Sequence, residues 1–157
     1  MARRRTKNLK RDMIPDPVYN STLVTKFINC MMKDGKKATT EKVFYDALQL
    51  LSERTGENGF DVFTKALEKI KPQVEVKSRR VGGVSYQVPV EVYPSRQNSL
   101  AIRWIINSSR SKTGQAMHKK LAQELQDAFN DTGGAFKKKE DVKRMADANR
   151  AFAHYAY

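Results

Sequence analysis

One cysteine and two histidines in 157 residues leave little to build a covalent staple, a metal centre or a nucleophilic triad from. Cys30 has no partner for an internal disulfide, and no Cys/His cluster has tetrahedral metal-ligand spacing. Cys30 falls in an apolar-rich stretch, where a buried, inert thiol is expected. His118 sits beside Lys119 and Lys120 at a surface-like helix position, and His154 lies close to the last residues. No Ser/His/Asp or Cys/His motif occurs, nor a glycine loop of the G-x-x-x-x-G-K type. These gaps argue against an enzyme, and no cofactor is called for. No apolar run approaches the roughly 20 residues of a membrane span, and the basic start is not followed by an apolar signal core. A soluble, cytoplasmic chain with no membrane partner is the expectation.

Acid is the other shortage. Seventeen Asp and Glu face thirty Lys and Arg, a formal net charge of +13. Like charges repel in a compact state, so this imbalance does nothing for the fold and points to a polyanionic partner, nucleic acid first. Residues 1–15 read as a flexible basic arm. Within it Arg3, Arg4, Arg5, Lys7, Lys10 and Arg11 stand without any acid up to Arg11, a pattern suited to ordering on phosphates.

Beyond Pro15 and Pro17 the apolar spacing is helical. Leu23, Val24, Phe27, Ile28 and Met31 form one stripe, and Asp34-Gly35 is expected to end that helix, with Gly35 left-handed. Val43, Phe44, Ala47, Leu48 and Leu51 mark a second helix that stops near Gly56. Asn58 caps a third, which buries Phe63, Ala66, Leu67 and Ile70 and halts at Lys71-Pro72. Across 73–92 the period switches to two, on either side of Gly82-Gly83, which predicts a β-hairpin. A two-residue loop would set Val76 opposite Pro89 and put the two apolar rows on opposite faces. A three-residue loop, Val81-Gly82-Gly83, pairs Val76 with Val88, and register by hydrophobic pattern favours it. Three more helices are expected, from about Ser95 to Ser109, from Gln115 to Phe129, and from about Lys138 to Phe152, with Gly133-Gly134 separating the last two. The predicted fold is mainly α: one nucleic-acid-binding domain over residues 1–157, a bundle of about six helices with one protruding two-stranded hairpin.

The fourth helix carries the sharpest signal. Seven residues are nearly two turns, so Arg96, Arg103 and Arg110 fall within about 40° of one another, and Asn107 joins them. Leu100, Ala101, Ile102, Trp104, Ile105 and Ile106 fill most of the remaining circumference. A solvated face normally mixes Glu with Lys, but no acid lies between Arg96 and Arg110. That strip suits phosphate. In the favoured register Lys77 and Arg79 share a hairpin face with Ser85 and Gln87. The glycine tip, Val81-Gly82-Gly83-Val84, lets backbone approach a groove closely. Lys36-Lys37 and Lys137-Lys138-Lys139 are smaller basic clusters; the second is equivocal, because it is expected to open a helix where positive charge opposes the macrodipole. An architectural DNA-binding protein with a β-arm is the alternative reading, although Val81 and Val84 make a poor intercalating wedge.

Several ordered stretches resemble one family. Val74-Glu75-Val76-Lys77-Ser78-Arg79-Arg80-Val81-Gly82-Gly83 and Tyr86-Gln87-Val88-Pro89-Val90-Glu91-Val92 are similar to the small-subunit ribosomal protein seven family in its bacterial form. So are Asp16-Pro17, Asp34-Gly35-Lys36-Lys37, Ala101-Ile102-Arg103-Trp104, Arg144-Met145-Ala146 and Ala148-Asn149-Arg150-Ala151-Phe152-Ala153-His154. The resemblance implies a helical protein with a β-ribbon that binds the 3′ major domain of small-subunit ribosomal RNA and nucleates assembly of the subunit head. It implies a place at the subunit interface near the tRNA exit site and the mRNA path, where the Val81–Val84 tip approaches both. Small-subunit proteins nine and eleven are implied neighbours. Carried over by position, Lys36, Lys37, Lys77, Arg79, Arg80, Arg96 and Arg103 are the RNA-facing group.

Overall fold

The helical periodicities fold as helices in the structure, a computed structural model that describes residues 12–156. The order is α1 (Thr22–Met31), α2 (Lys37–Thr55), α3 (Gly59–Ile70), β1 (Val74–Val81), β2 (Val84–Glu91), α4 (Pro94–Ser111), α5 (Met117–Phe129), α6 (Gly133–Ala148) and a closing 3-10 helix (Arg150–Ala156). The architecture is therefore mainly α with one antiparallel β-hairpin, as expected. The stripes predicted for α1, α2 and α3 face inward, with Leu23 and Val43 only half-buried at their edges. Phe27, Phe44 and Phe63, from three successive helices, meet with ring centroids 5.3–5.4 Å apart, Phe63 edge-on to both others. α5 lies against α2, α3 and α4 and completes the core with Leu121, Ala122, Leu125 and Ala128.

Local signals explain several boundaries. Asn58 caps α3, its Oδ1 accepting from the Phe60 N–H at 2.9 Å, and Gly56 takes the left-handed turn (φ 72°) after α2. Gly59 is buried against α2: a Cβ there would stand 2.2 Å from the Leu48 carbonyl oxygen, which is backbone and cannot swing aside. Gly59→Ala is therefore expected to lower unfolding free energy by about 2 kcal/mol as the two helices are forced apart. Urea denaturation followed by circular dichroism measures this, and an unchanged midpoint contradicts the packing. Asp16, in the turn before α1, is buried; its carboxylate accepts from the Val18 and Tyr19 N–H groups and, at 2.6 Å, from the Tyr45 hydroxyl.

Four expectations besides the hairpin register need correction. α1 ends at Met31, before Asp34-Gly35; those two residues, both left-handed (φ 53° and 70°), instead form the turn into α2. The last helix opens at Gly133, not near Lys138, so the glycine pair starts α6 rather than separating it from α5. The missing signal is remote: Glu124, fully buried on α5, accepts the Ala135 N–H at 2.8 Å and so does the work of an N-cap. Lys112 bridges Glu124 and Asp127, at 2.9 Å from each. Burial opposes its charge, yet the two carboxylates outweigh that and hold the ammonium above its ordinary range. α6 also ends at Ala148, and the chain tightens into the 3-10 turn that lays Phe152 and Tyr155 on Tyr86 of the hairpin. Cys30, fourth, is exposed, because it lies off the buried stripe of α1.

The hairpin departs in register. Gly82 and Gly83 alone form the loop, with φ of 59° and 85°, so Val76 pairs with Pro89, Lys77 with Val88, Arg79 with Tyr86 and Val81 with Val84. Two consecutive left-handed residues suit a two-residue hairpin turn whose twist matches that of the strands, and this outweighs apolar alternation. The penalty of splitting the apolar rows disappears because both faces are covered at the base: α6 and the 3-10 helix pack there, Val88 is buried, and Val74, Val76 and Val90 are half-buried. Lys77 and Arg79 thus share a face with Val88 and Tyr86, not with Ser85 and Gln87. From Lys77 to Ser85 every residue is exposed, and Arg79 alone of them reaches a helix, at the Tyr155 carbonyl.

Candidate nucleic-acid interface

The α4 strip is where periodicity placed it. Arg96, Arg103, Asn107 and Arg110 are exposed, while Ala101, Ile102, Ile105 and Ile106 are buried and Leu100 and Trp104 half-buried. At 1.5 Å per residue, Arg96 and Arg110 lie about 21 Å apart along the helix. Each end of the strip is tied to another element. Arg110 donates through Nη2 to the Met31 carbonyl at 2.8 Å, satisfying an acceptor at the end of α1. It also lines, with Lys33 and Lys36, a cleft of about 310 Å³ floored by Met31, Val43 and Met117. Lys36 and Arg110, remote in sequence, are thus brought to one corner. Lys37 stands in the first turn of α2, 3.6 Å from Glu41.

At the other end, Arg96 grips Glu75 on β1. Its Nε lies 2.9 and 2.8 Å from the two carboxylate oxygens, and its Nη2 lies 2.8 Å from Oε2. Lys77 adds a fourth contact at 3.2 Å. Glu75 is buried, which alone would raise its pKa, but Arg96 and Lys77 outweigh burial and hold the carboxyl below its ordinary range. The same partnership raises Arg96. This one acid fixes two candidate cations and joins the hairpin to α4. In the sequence it stood out only as one member of the stretch from Val74 to Gly83.

A lowered folded pKa means Glu75 contributes stability above its unfolded pKa, and that contribution is lost as pH falls through the folded value. Stability measured from pH 6 down to about pH 3 should therefore fall less steeply in Glu75→Gln than in the parent chain. Parallel curves would show that the pair carries no pH-dependent stability.

The outer hairpin presents Arg79 and Arg80 on opposite faces. Arg79 donates to the Tyr155 carbonyl at 3.2 Å, and Arg80 has no hydrogen bond or ion pair with any described residue. Arg103 likewise has none among the described residues. Val81 and Val84 oppose each other beside the glycines, both exposed. Arg3, Arg4, Arg5, Lys7, Lys10 and Arg11 lie outside the described residues. The lysine run divides: Lys137 and Lys138 are exposed, whereas Lys139 donates to the Lys69 carbonyl at 2.7 Å near the end of α3. The candidate cations thus form a band from the α1–α2 corner, along α4, to the hairpin. Lys33, in the corner, and Tyr93, at the start of α4, escaped the charge-pattern reading.

Residues 3–150 match the family described as ribosomal protein S7p/S5e. The small ribosomal subunit protein uS7 of Helicobacter hepaticus is 56% identical over 98% of this chain and 99% of its own length. The proteins of that name from Desulfovibrio desulfuricans (57% identical, over 94% of this chain and 95% of theirs) and Leptospira biflexa (55%, over the whole of both chains) are equally similar.

Proposed function

Because the chain belongs to the ribosomal protein S7p/S5e family, we propose that it is a structural, non-catalytic component of the small ribosomal subunit, acting in the cytoplasm as a single RNA-binding domain. It binds the 3′ major domain of small-subunit ribosomal RNA, nucleates folding of the subunit head, and lies near the tRNA exit site and the mRNA path beside proteins nine and eleven. The observation that carries the RNA-binding reading is the acid-free strip of α4, exposed along one side and linked at both ends to further cations. Lys36, Lys37, Lys77, Arg79, Arg80, Arg96, Arg103 and Arg110 take phosphates, Asn107 adds a polar contact between them, and the basic residues of the arm add theirs. Recognition by such a band rests on backbone and shape more than on base edges.

Arg103 gives the cleanest test, since no described residue depends on it. Arg103→Ala should leave the fold intact, weaken binding to a 3′ major domain fragment for all sequence variants alike, and reduce the salt slope by about one. Duplex DNA of equal length should compete poorly. Equal competition would move the reading to an architectural DNA-binding protein, for which the exposed Val81 and Val84 at the arm tip are the favourable feature.

A further inference from the structure

Tyr93 is 81% exposed, and among the described residues it is the only Phe, Tyr or Trp left in solvent. Every other such ring is at least half-covered, so this one stands out as a surface waiting for something. Its backbone is rigid. The Tyr93 carbonyl accepts from the Arg96 and Gln97 N–H groups, both at 2.9 Å, Pro94 follows, and the Gln97 side chain donates to the Val92 carbonyl at 2.9 Å. A ring on a fixed backbone, one turn ahead of Arg96, loses little freedom when something packs on it. It lines a groove of about 550 Å³ that follows β2 to the first residue of α4 and is bordered by Ala153 of the 3-10 helix, together with Lys77, Val90 and Glu91. The borders are mixed in chemistry: Lys77 comes from the hairpin face that carries Val88 and Val90, and the exposed Glu91 from the opposite face. Glu91 disfavours a phosphate deep in the groove, but it can accept a hydrogen bond from an exocyclic amino group. Lys77 suits the flanking phosphate.

We infer that Tyr93 is a stacking platform for one unpaired nucleotide of the bound RNA, with Glu91 favouring a base that carries an amino group. Single-stranded nucleotides are commonly held this way, base on aromatic face and phosphate on a cation. The inference rests on the RNA-binding reading above and adds a base contact to a surface otherwise made of phosphate contacts. The occupant is RNA rather than another protein because the ring adjoins the arginine strip and shares its groove with Lys77.

The test uses the full chain and the 3′ major domain fragment, with circular dichroism to check folding. Tyr93→Phe and Tyr93→Trp should bind within about twofold of the parent. Tyr93→Leu, apolar but without a π-face, should bind about tenfold more weakly. In Tyr93→Trp the added indole should be quenched when RNA is titrated in, over the signal of the parent chain, whose single tryptophan is Trp104. Leu binding as tightly as Phe, with no added quenching, overturns the inference and leaves the ring for a protein neighbour. Failure of the parent chain to bind the fragment overturns the RNA reading instead, so the two failures are distinguishable.

Discussion

Raising monovalent salt from about 50 to about 200 mM is expected to weaken binding to the ribosomal RNA fragment by about four powers of ten. The magnitude follows from the number of phosphates the band can neutralise. Arg80, Arg103 and Lys36 have no described side-chain partner. Arg79 and Arg110 spend one N–H each on a carbonyl and keep the rest of the guanidinium for phosphate. Lys37, Lys77 and Arg96 are paired with carboxylates but remain exposed. Some of these contacts are partial, and the arm is proposed to add others, so the total is taken as about 8 phosphates. Each released counterion contributes to the slope of log affinity against log salt, here about −7. Filter binding or fluorescence titration at four or five salt concentrations measures it. A slope shallower than about −2 would mean that the band does not carry the affinity.

Phe63→Ala should cost about 4 kcal/mol and lower Tm by about 12 °C. Phe63 is fully buried and touches both other rings of the cluster, 5.3 Å from each centroid at interplanar angles of 90° and 86°. Truncation removes its buried area and two edge-on ring contacts, and leaves a void where α1, α2 and α3 meet. The helices cannot simply close in, because the other side of the cluster is braced by α5. Such a loss is a large share of a typical domain stability of 5–15 kcal/mol. Thermal unfolding of the purified variant checks it. A loss below about 1 kcal/mol would mean that the cluster relaxes freely and the hub of the fold lies elsewhere.

What the sequence disclosed, and what it withheld, follows from the range of the forces involved. The helices and the α4 strip were legible because amphipathic periodicity is a local code: Arg96, Arg103 and Arg110 share a side of any α-helix, whatever surrounds it. Asn58 and Gly56 were legible for the same reason. The start of α6 was not, since its capping carboxylate comes from Glu124 on another helix. The hairpin register turned on a contest between turn geometry and apolar pattern. Alternation loses that contest when both faces are covered, and the cover comes from α6 and the 3-10 helix far along the chain. In the site, positive charge was visible but its restraint was not. That Arg96 is held by Glu75, and Arg110 by the end of α1, depends on contacts between elements.

The central claim, membership of the small ribosomal subunit through bound RNA, is tested most directly by sedimentation. An epitope-tagged copy of this chain would be expressed in its host and the lysate resolved on sucrose gradients, first at normal magnesium and then at low magnesium, which separates the subunits. The account predicts that the tagged chain runs with assembled ribosomes in the first gradient and wholly with the small subunit in the second, and that Arg103→Ala combined with Arg80→Ala shifts part of it to the free fraction. A chain found mainly free at the top of the gradient, or following DNA, would contradict it.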